Sequence, residues 1–187
     1  MKKLALLFFT VLALALFAAC GAPVAPDVDN NVGDGADDAL TLSFEAMTLG
    51  GDTMSDAVFA DYRLTMVNIW ATFCSPCIEE MPELQELYGQ LPEGVNMITI
   101  CVDGESETEL AQEIYDSIDG TFAVVLADTD LLKGFLTRIS GVPTTVFVDS
   151  QGRVIGDFQL GAPGVSGKGT LAGKYLELIN DRLLQVE

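Results

Sequence analysis

Short apolar runs, separated by stretches of helical spacing, recur from Leu40 to the C-terminus. Leu40 to Phe44 alternates like a strand, and Gly50-Gly51 turns the chain after it. Residues 54–61 suit a short helix. Leu64 to Ala71 is a near-continuous apolar run, the pattern of a central buried strand. Cys77 to Leu91 has helical spacing with Pro82 inside it, where the missing N–H removes a hydrogen bond and bends the helix. Asn96 to Val102 reads as the next strand, and Ser106 to Ile118 as a helix with Glu107 and Glu109 in its first turn, as the dipole prefers. A strand follows over Phe122 to Leu126, then a helix over Asp130 to Ile139. Thr144 to Val148 and Arg153 to Gln159 are predicted strands of a hairpin turned at Ser150-Gln151-Gly152. Thr170 to Leu184 closes the chain as an amphipathic helix. Alternating strands and helices that end in a hairpin predict an α/β fold, a mixed central sheet flanked by helices.

The pattern before Leu40 is different. Lys2 and Lys3 precede an apolar stretch from Leu4 to Phe17, and Ala18, Ala19 and Cys20 follow. This predicts a secretory leader over residues 1–19, with an apolar stretch short for a permanent transmembrane helix. Phe17-Ala18-Ala19-Cys20 resembles a bacterial lipobox, which implies cleavage before Cys20 and its lipidation. A diacyl anchor would hold the protein firmly, since one acyl chain alone binds marginally. Residues 20–39 then form an acidic tether. From Gly21 the stretch carries five aspartates, no basic residue and no aromatic, so it cannot bury a core. A flexible chain of this length spans roughly 25 Å root-mean-square. The folded domain is expected over residues 40–187.

Charge narrows the partners. The formal net charge is −19, and loss of the leader removes Lys2 and Lys3 and no acid, leaving 7 basic against 28 acidic residues, or −21. Such a chain repels nucleic acid and anionic headgroups.

The four cysteines have separate places. Cys20 belongs to the leader, and Cys101 lies in the apolar strand pattern Asn96 to Asp103, as a small buried core residue would. Cys74 and Cys77 are two residues apart, between a predicted strand and a predicted helix. There Cys74 lies just before the first helical turn, where free N–H groups and the helix dipole stabilise a thiolate. The thiolate is the attacking species in disulfide exchange, so Cys74 is the expected nucleophile and Cys77, one turn on, the resolving thiol. Pro76 fits the first turn, where its missing N–H costs little. A zinc site would need four ligands, and the chain has no histidine and no second CxxC. No metal or organic cofactor is expected.

Three stretches together carry a family resemblance: Val67 to Cys77, Glu80-Met81-Pro82-Glu83-Leu84, and Gly141 to Asp149 with its Val142-Pro143-Thr144 core. The chain resembles thioredoxin-fold redoxins, more narrowly the extracytoplasmic, membrane-tethered thiol–disulfide reductases of the TlpA/ResA type, over about residues 40–187. The resemblance implies a thioredoxin-like fold with a central helix–strand insertion over about residues 104–128. It implies that Pro143 is a cis-proline against the active-site disulfide, leaving the Val142 backbone free for strand-like pairing with a substrate. It implies that Glu80 tunes the thiols and moves protons, with Glu79 and Glu83 as nearby alternatives. Trp70, Ser75 and Pro76 join Val142 as expected substrate contacts. Two positions depart from the pattern. Asn68 stands where cytoplasmic thioredoxins carry a buried aspartate, which shifts weight to Glu80. Phe73 replaces the usual tryptophan before the first cysteine, which alters the rim of the site.

The resulting expectation is a lipid-anchored monomeric oxidoreductase that mainly reduces disulfides in exported proteins, apocytochrome c among the candidates. A membrane thiol transporter would re-reduce it. The same residues would serve a disulfide donor, with direction set by redox poise. A peroxiredoxin-like peroxidase is weaker, because Thr72 to Cys74 lacks the Pro-x-x-x-Thr-x-x-Cys pattern. A copper-binding or non-catalytic thiol module is the reading from outside the enzymes.

Overall fold

The buried runs meet in one five-stranded sheet of order β5-β4-β3-β6-β7. The structure is a computed structural model that describes residues 40–164 and 169–186. The expected leader (1–19), Cys20 and the tether (20–39) lie outside the described residues. Strand β3 (Leu64–Trp70) is central. It pairs in parallel with β4 (Val95–Cys101) and antiparallel with β6 (Thr144–Asp149). Strand β5 (Ala123–Leu126) extends the parallel side, and β7 (Gln159–Leu160) the antiparallel side. Every residue of β3, β4 and β6 is buried, the polar Asn68, Thr99 and Thr145 as fully as their apolar neighbours, as strands covered on both faces require.

Because side chains alternate across a strand, each strand feeds two cores. Leu64, Met66 and Trp70 of β3 face one side, with Val95, Met97 and Cys101 of β4 and Phe147 of β6. Helices α1 (Ser75–Tyr88), α2 (Thr108–Ser117) and α4 (Leu171–Leu183) contribute to that core through Leu84, Ile114 and Tyr175. Val67 and Ile69 face the other side with Ile98, Ile100, Val146 and Val148, under α3 (Thr129–Lys133) and the segment carrying Leu42 and Phe44. The helix and strand α2–β5 supply the insertion at one edge of the sheet. A small antiparallel hairpin, β1 (Glu45–Met47) and β2 (Thr53–Ser55), turns through Gly50-Gly51 and meets β5, where Leu49 N–H bonds the Val124 carbonyl at 2.8 Å.

Five sequence expectations change. Leu40 to Phe44 is extended and buries Leu42 and Phe44, but it joins no ladder beyond one bridge, Thr41 to Arg153. Its backbone instead bonds the turn after β6, Leu42 N–H to the Gly152 carbonyl and Val154 N–H to the Leu40 carbonyl. Residues 54–61 divide between β2 and a 3₁₀ turn, Asp56–Asp61. Helix α1 starts earlier than Cys77 and ends before Leu91, where Gly89 caps it and Pro92 follows. The predicted helix over Asp130 to Ile139 breaks at Gly134 into α3 and a 3₁₀ turn, Phe135–Arg138. The strand expected over Arg153 to Gln159 is interrupted. Val154 makes one bridge to Val148, Gly156 takes φ +68°, and pairing resumes only at β7.

Candidate active site

The site lies at the C-terminal end of β3. Cys74 is the N-cap of α1, Pro76 sits in the first turn, and Cys74 and Cys77 are joined as a disulfide. Cys77 N–H donates to Cys74 Sγ at 3.3 Å, so one of the helix's free first-turn amides is satisfied by that sulfur. Cys74 is 6% exposed and Cys77 is fully buried. The outer sulfur is therefore the one a partner can reach.

The loop between β3 and α1 is held from the side. Asp103, just past β4, accepts from Thr72 N–H at 3.0 Å and from the Thr72 hydroxyl at 2.6 Å. Burial alone would raise the Asp103 carboxyl, but the hydrogen bonds from Thr72, together with those from Cys101 and its own backbone, outweigh it and hold the group below its ordinary value. Cys101 is buried as expected, and its thiol donates to Asp103 at 3.2 Å. Burial, with the Asp103 carboxylate beside it, pushes that thiol well up.

Glu80 follows Cys77 by three positions, so both lie on one face of α1. It is 2% exposed, a carboxyl inside the core. Asn68 Nδ2 donates to Glu80 Oε1 at 2.8 Å, and the Tyr175 hydroxyl donates to Oε2 at 3.2 Å. Burial raises the Glu80 carboxyl above its ordinary range, and these two donors partly oppose the rise. The two neighbouring glutamates have other places. Glu79 is exposed, and Glu83 accepts from Ala172 N–H at 3.1 Å near the start of α4.

The Val142–Pro143 peptide is cis. Register puts it at the same end of the sheet as the dithiol: Ile69 pairs with Thr144, one residue after Pro143 and five before Cys74. Ser75 and Pro76 are exposed, Val142 is half-buried and Pro143 buried. Trp70 departs from its expected place. Its ring is 1% exposed and Nε1 donates to Thr99 Oγ1 at 3.3 Å, so it supports the loop from below and offers no surface to a substrate. Phe73 is the contrary case, 75% exposed beside Cys74. Thr72, Asp103, Thr145 and Tyr175 join the site only through the fold. The usable signal was a polar residue at an inward position of an apolar strand, which Thr145 shares with Asn68.

A groove of about 400 Å³ lies elsewhere, between the β1–β2 hairpin, α2 and β5, with Leu49, Tyr88, Tyr115 and Phe122 in its walls. None of the candidate residues lines it. Small-molecule sites favour such concavities, whereas this dithiol sits at a surface that a protein can approach.

Three comparisons agree with this geometry. The model of the AhpC/TSA family matches residues 36–172. The chain is 38% identical over 91 residues to the thiol-disulfide oxidoreductase ResA of Oceanobacillus iheyensis, covering 48% of this chain and 45% of that one. The chain thus spans less than half the length of that relative. Against a ResA of Bacillus cereus it is 29% identical over 163 residues, 83% of this chain and 88% of the relative. Among solved structures, a thiol:disulfide interchange protein of the thioredoxin family from Chlorobium tepidum TLS superposes with a TM-score of 0.61. It has 21% identity and covers 78% of this chain and 95% of that one. The fold is thioredoxin-like.

Proposed function

The chain belongs to the AhpC/TSA family, as a TlpA/ResA-like redoxin, and from that footing we propose that it is an extracytoplasmic thiol–disulfide oxidoreductase. It acts mainly as a reductase of disulfides in exported proteins. The observation that carries the reading is the Cys74–Cys77 disulfide at a helix N-terminus, the outer cysteine slightly exposed, the inner one buried, and a buried carboxyl, Glu80, one helical turn further on.

In the dithiol form, Cys74 thiolate attacks one sulfur of a substrate disulfide. The Cys74–substrate bond forms, the substrate S–S bond breaks, and the first substrate thiolate leaves. Glu80 takes the proton from Cys77, whose thiolate then attacks Cys74 Sγ. The mixed disulfide breaks, the second substrate thiolate leaves, and Cys74–Cys77 is oxidised while the substrate gains two electrons. Val142 beside Pro143 supplies backbone for an extended substrate, and Ser75, Pro76 and Phe73 form the rim. A membrane thiol transporter returns the electrons, apocytochrome c is a fitting substrate, and lipidated Cys20 keeps the domain near both. Among the described residues no helix is long and apolar enough to cross a membrane.

The test is the reduction potential of the Cys74–Cys77 couple in defined thiol buffers, with Cys74→Ser as control. A value around −250 mV or lower supports a reductase, and one nearer −120 mV reverses the assigned direction. Cys77→Ser should accumulate a mixed disulfide through Cys74, and its absence on non-reducing gels would remove Cys74 as nucleophile.

A further inference from the structure

The core face beneath α1 carries a row of polar side chains where apolar ones would pack. Asn68 of β3 stands opposite Thr99 of β4 on one side and Thr145 of β6 on the other. All three are at most 1% exposed. Burying polar groups is costly unless they are hydrogen-bonded, so the row needs a reason.

The bonds have a direction. Asn68 Nδ2 donates to Thr145 Oγ1 at 3.1 Å, Thr145 donates to the Tyr175 hydroxyl at 3.4 Å, and Tyr175 donates to Glu80 Oε2 at 3.2 Å. Asn68 Nδ2 also donates directly to Glu80 Oε1 at 2.8 Å. The ring therefore starts at one amide nitrogen and ends, by two routes, on the two oxygens of one carboxylate. The Asn68 amide nitrogen serves this ring, and its Oδ1 is buried without a partner. Such an imbalance suits the holding of negative charge at Glu80.

We propose that Tyr175, 95 positions beyond Glu80 in the chain, is a positioning residue for the thiol–disulfide reaction: its phenol orients the Glu80 carboxylate and sets how readily that group exchanges a proton with Cys77. The inference rests on the reading of Glu80 as the proton partner of Cys77. Burial by itself drives the carboxyl toward a permanently protonated acid, which could not act as a base. The Tyr175 donor favours the charged form and keeps the group exchangeable. Of the other titratable groups on α1 and α4, Glu79, Glu86 and Asp181 are exposed and Lys174 pairs with Glu177, and those nearer this core have bonds of their own in the oxidised chain. Cys77 is in the disulfide, Glu83 bonds Ala172 N–H, and Cys101 bonds Asp103. Asp149 pairs with Arg153, and Arg182 lies over the Phe147 ring.

The experiment uses the full chain as wild type, Glu80→Gln, Tyr175→Phe and the double variant. Glu80 is followed by carbon NMR of labelled glutamate carboxyls, its resonance being the one missing in Glu80→Gln. The pH profile of protein-disulfide reduction is measured in parallel. Tyr175→Phe should move the Glu80 midpoint up by about one pH unit, a tenfold change in its ionisation constant. The pH profile should shift with it in the Glu80 background and not in the Glu80→Gln background. Replacement of tyrosine by 3-fluorotyrosine, a near-isosteric and stronger donor, should move the midpoint down, and it serves should Tyr175→Phe fail to fold. An unmoved midpoint in these proteins overturns the role of Tyr175. If Glu80→Gln itself leaves the pH profile unchanged, the Glu80 reading falls, and the inference with it.

Discussion

Asp103 holds Thr72 by two groups at once, the backbone N–H at 3.0 Å and the hydroxyl at 2.6 Å, and so fastens the loop before Cys74 to the end of β4. Cys74 N–H in turn bonds the Ala71 carbonyl at 3.1 Å, within the same loop. Cys74 is thus placed by a neighbouring strand as well as by its own helix.

Replacing this clamp gives the first prediction. Asp103→Ala leaves the Thr72 amide without its acceptor and should cost about 1–3 kcal/mol in urea unfolding. The clamp also carries a pH signature. The Asp103 carboxyl is lower in the folded chain than in the unfolded one. Its contribution is therefore present above the unfolded value, near pH 3.9, and lost as pH falls through the folded value. Asp103→Asn should flatten that acid limb. An alanine variant as stable as wild type would show that the loop holds itself.

Cys101 gives a prediction of opposite kind, an unreactive thiol. It is fully buried, and burial together with the Asp103 carboxylate disfavours its thiolate. After gentle reduction at pH 8, iodoacetamide should label Cys74 quickly and Cys101 only on unfolding, as peptide mass spectrometry would report. Native labelling of Cys101 at a similar rate would contradict its placement in the core.

Much of this arrangement was legible in the chain. The three central strands are mainly apolar or β-branched runs with a few inward polar positions, and the dithiol, its helix and its proline occupy adjacent positions from Trp70 to Pro82. What escaped the pattern depends on distant partners. Leu40 to Phe44 alternates correctly between buried and exposed, yet its backbone bonds a turn more than a hundred residues later, which periodicity cannot register. Gly134 sits inside a helical pattern, but a Cβ there would meet the Asp130 carbonyl at 2.9 Å. The chain turns away at that point. Tyr175 reads as one more apolar position of an amphipathic helix, and only the fold shows that its hydroxyl meets Glu80.

Phe73 supplies a prediction about substrates. At 75% exposure the ring contributes little to the fold, so Phe73→Ala should change stability by less than about 0.5 kcal/mol. Loss of its apolar contact with a protein substrate should raise KM roughly fivefold, about 1 kcal/mol, with kcat nearly unchanged. A small aromatic disulfide that cannot span the rim serves as control. Equal losses on both substrates would mean that Phe73 acts on the dithiol itself.

Glu80 should show in equilibrium unfolding even without turnover. Burial raises its carboxyl in the folded chain, more than Asn68 and Tyr175 lower it. Between the ordinary carboxylate value, near pH 4.5, and the raised folded value, the folded chain keeps a proton that the unfolded chain has released. Stability from this group is therefore complete below the unfolded value and is lost as pH rises through the folded one. Relative to Glu80→Gln, wild type should lose stability across that window with a slope of up to about 1.4 kcal/mol per pH unit, and then run parallel at higher pH. Urea unfolding of both oxidised proteins from pH 4 to 8 measures the difference directly. Curves that stay parallel throughout would mean that Glu80 titrates as a solvated carboxyl, and it would then lose its standing as the proton partner of Cys77.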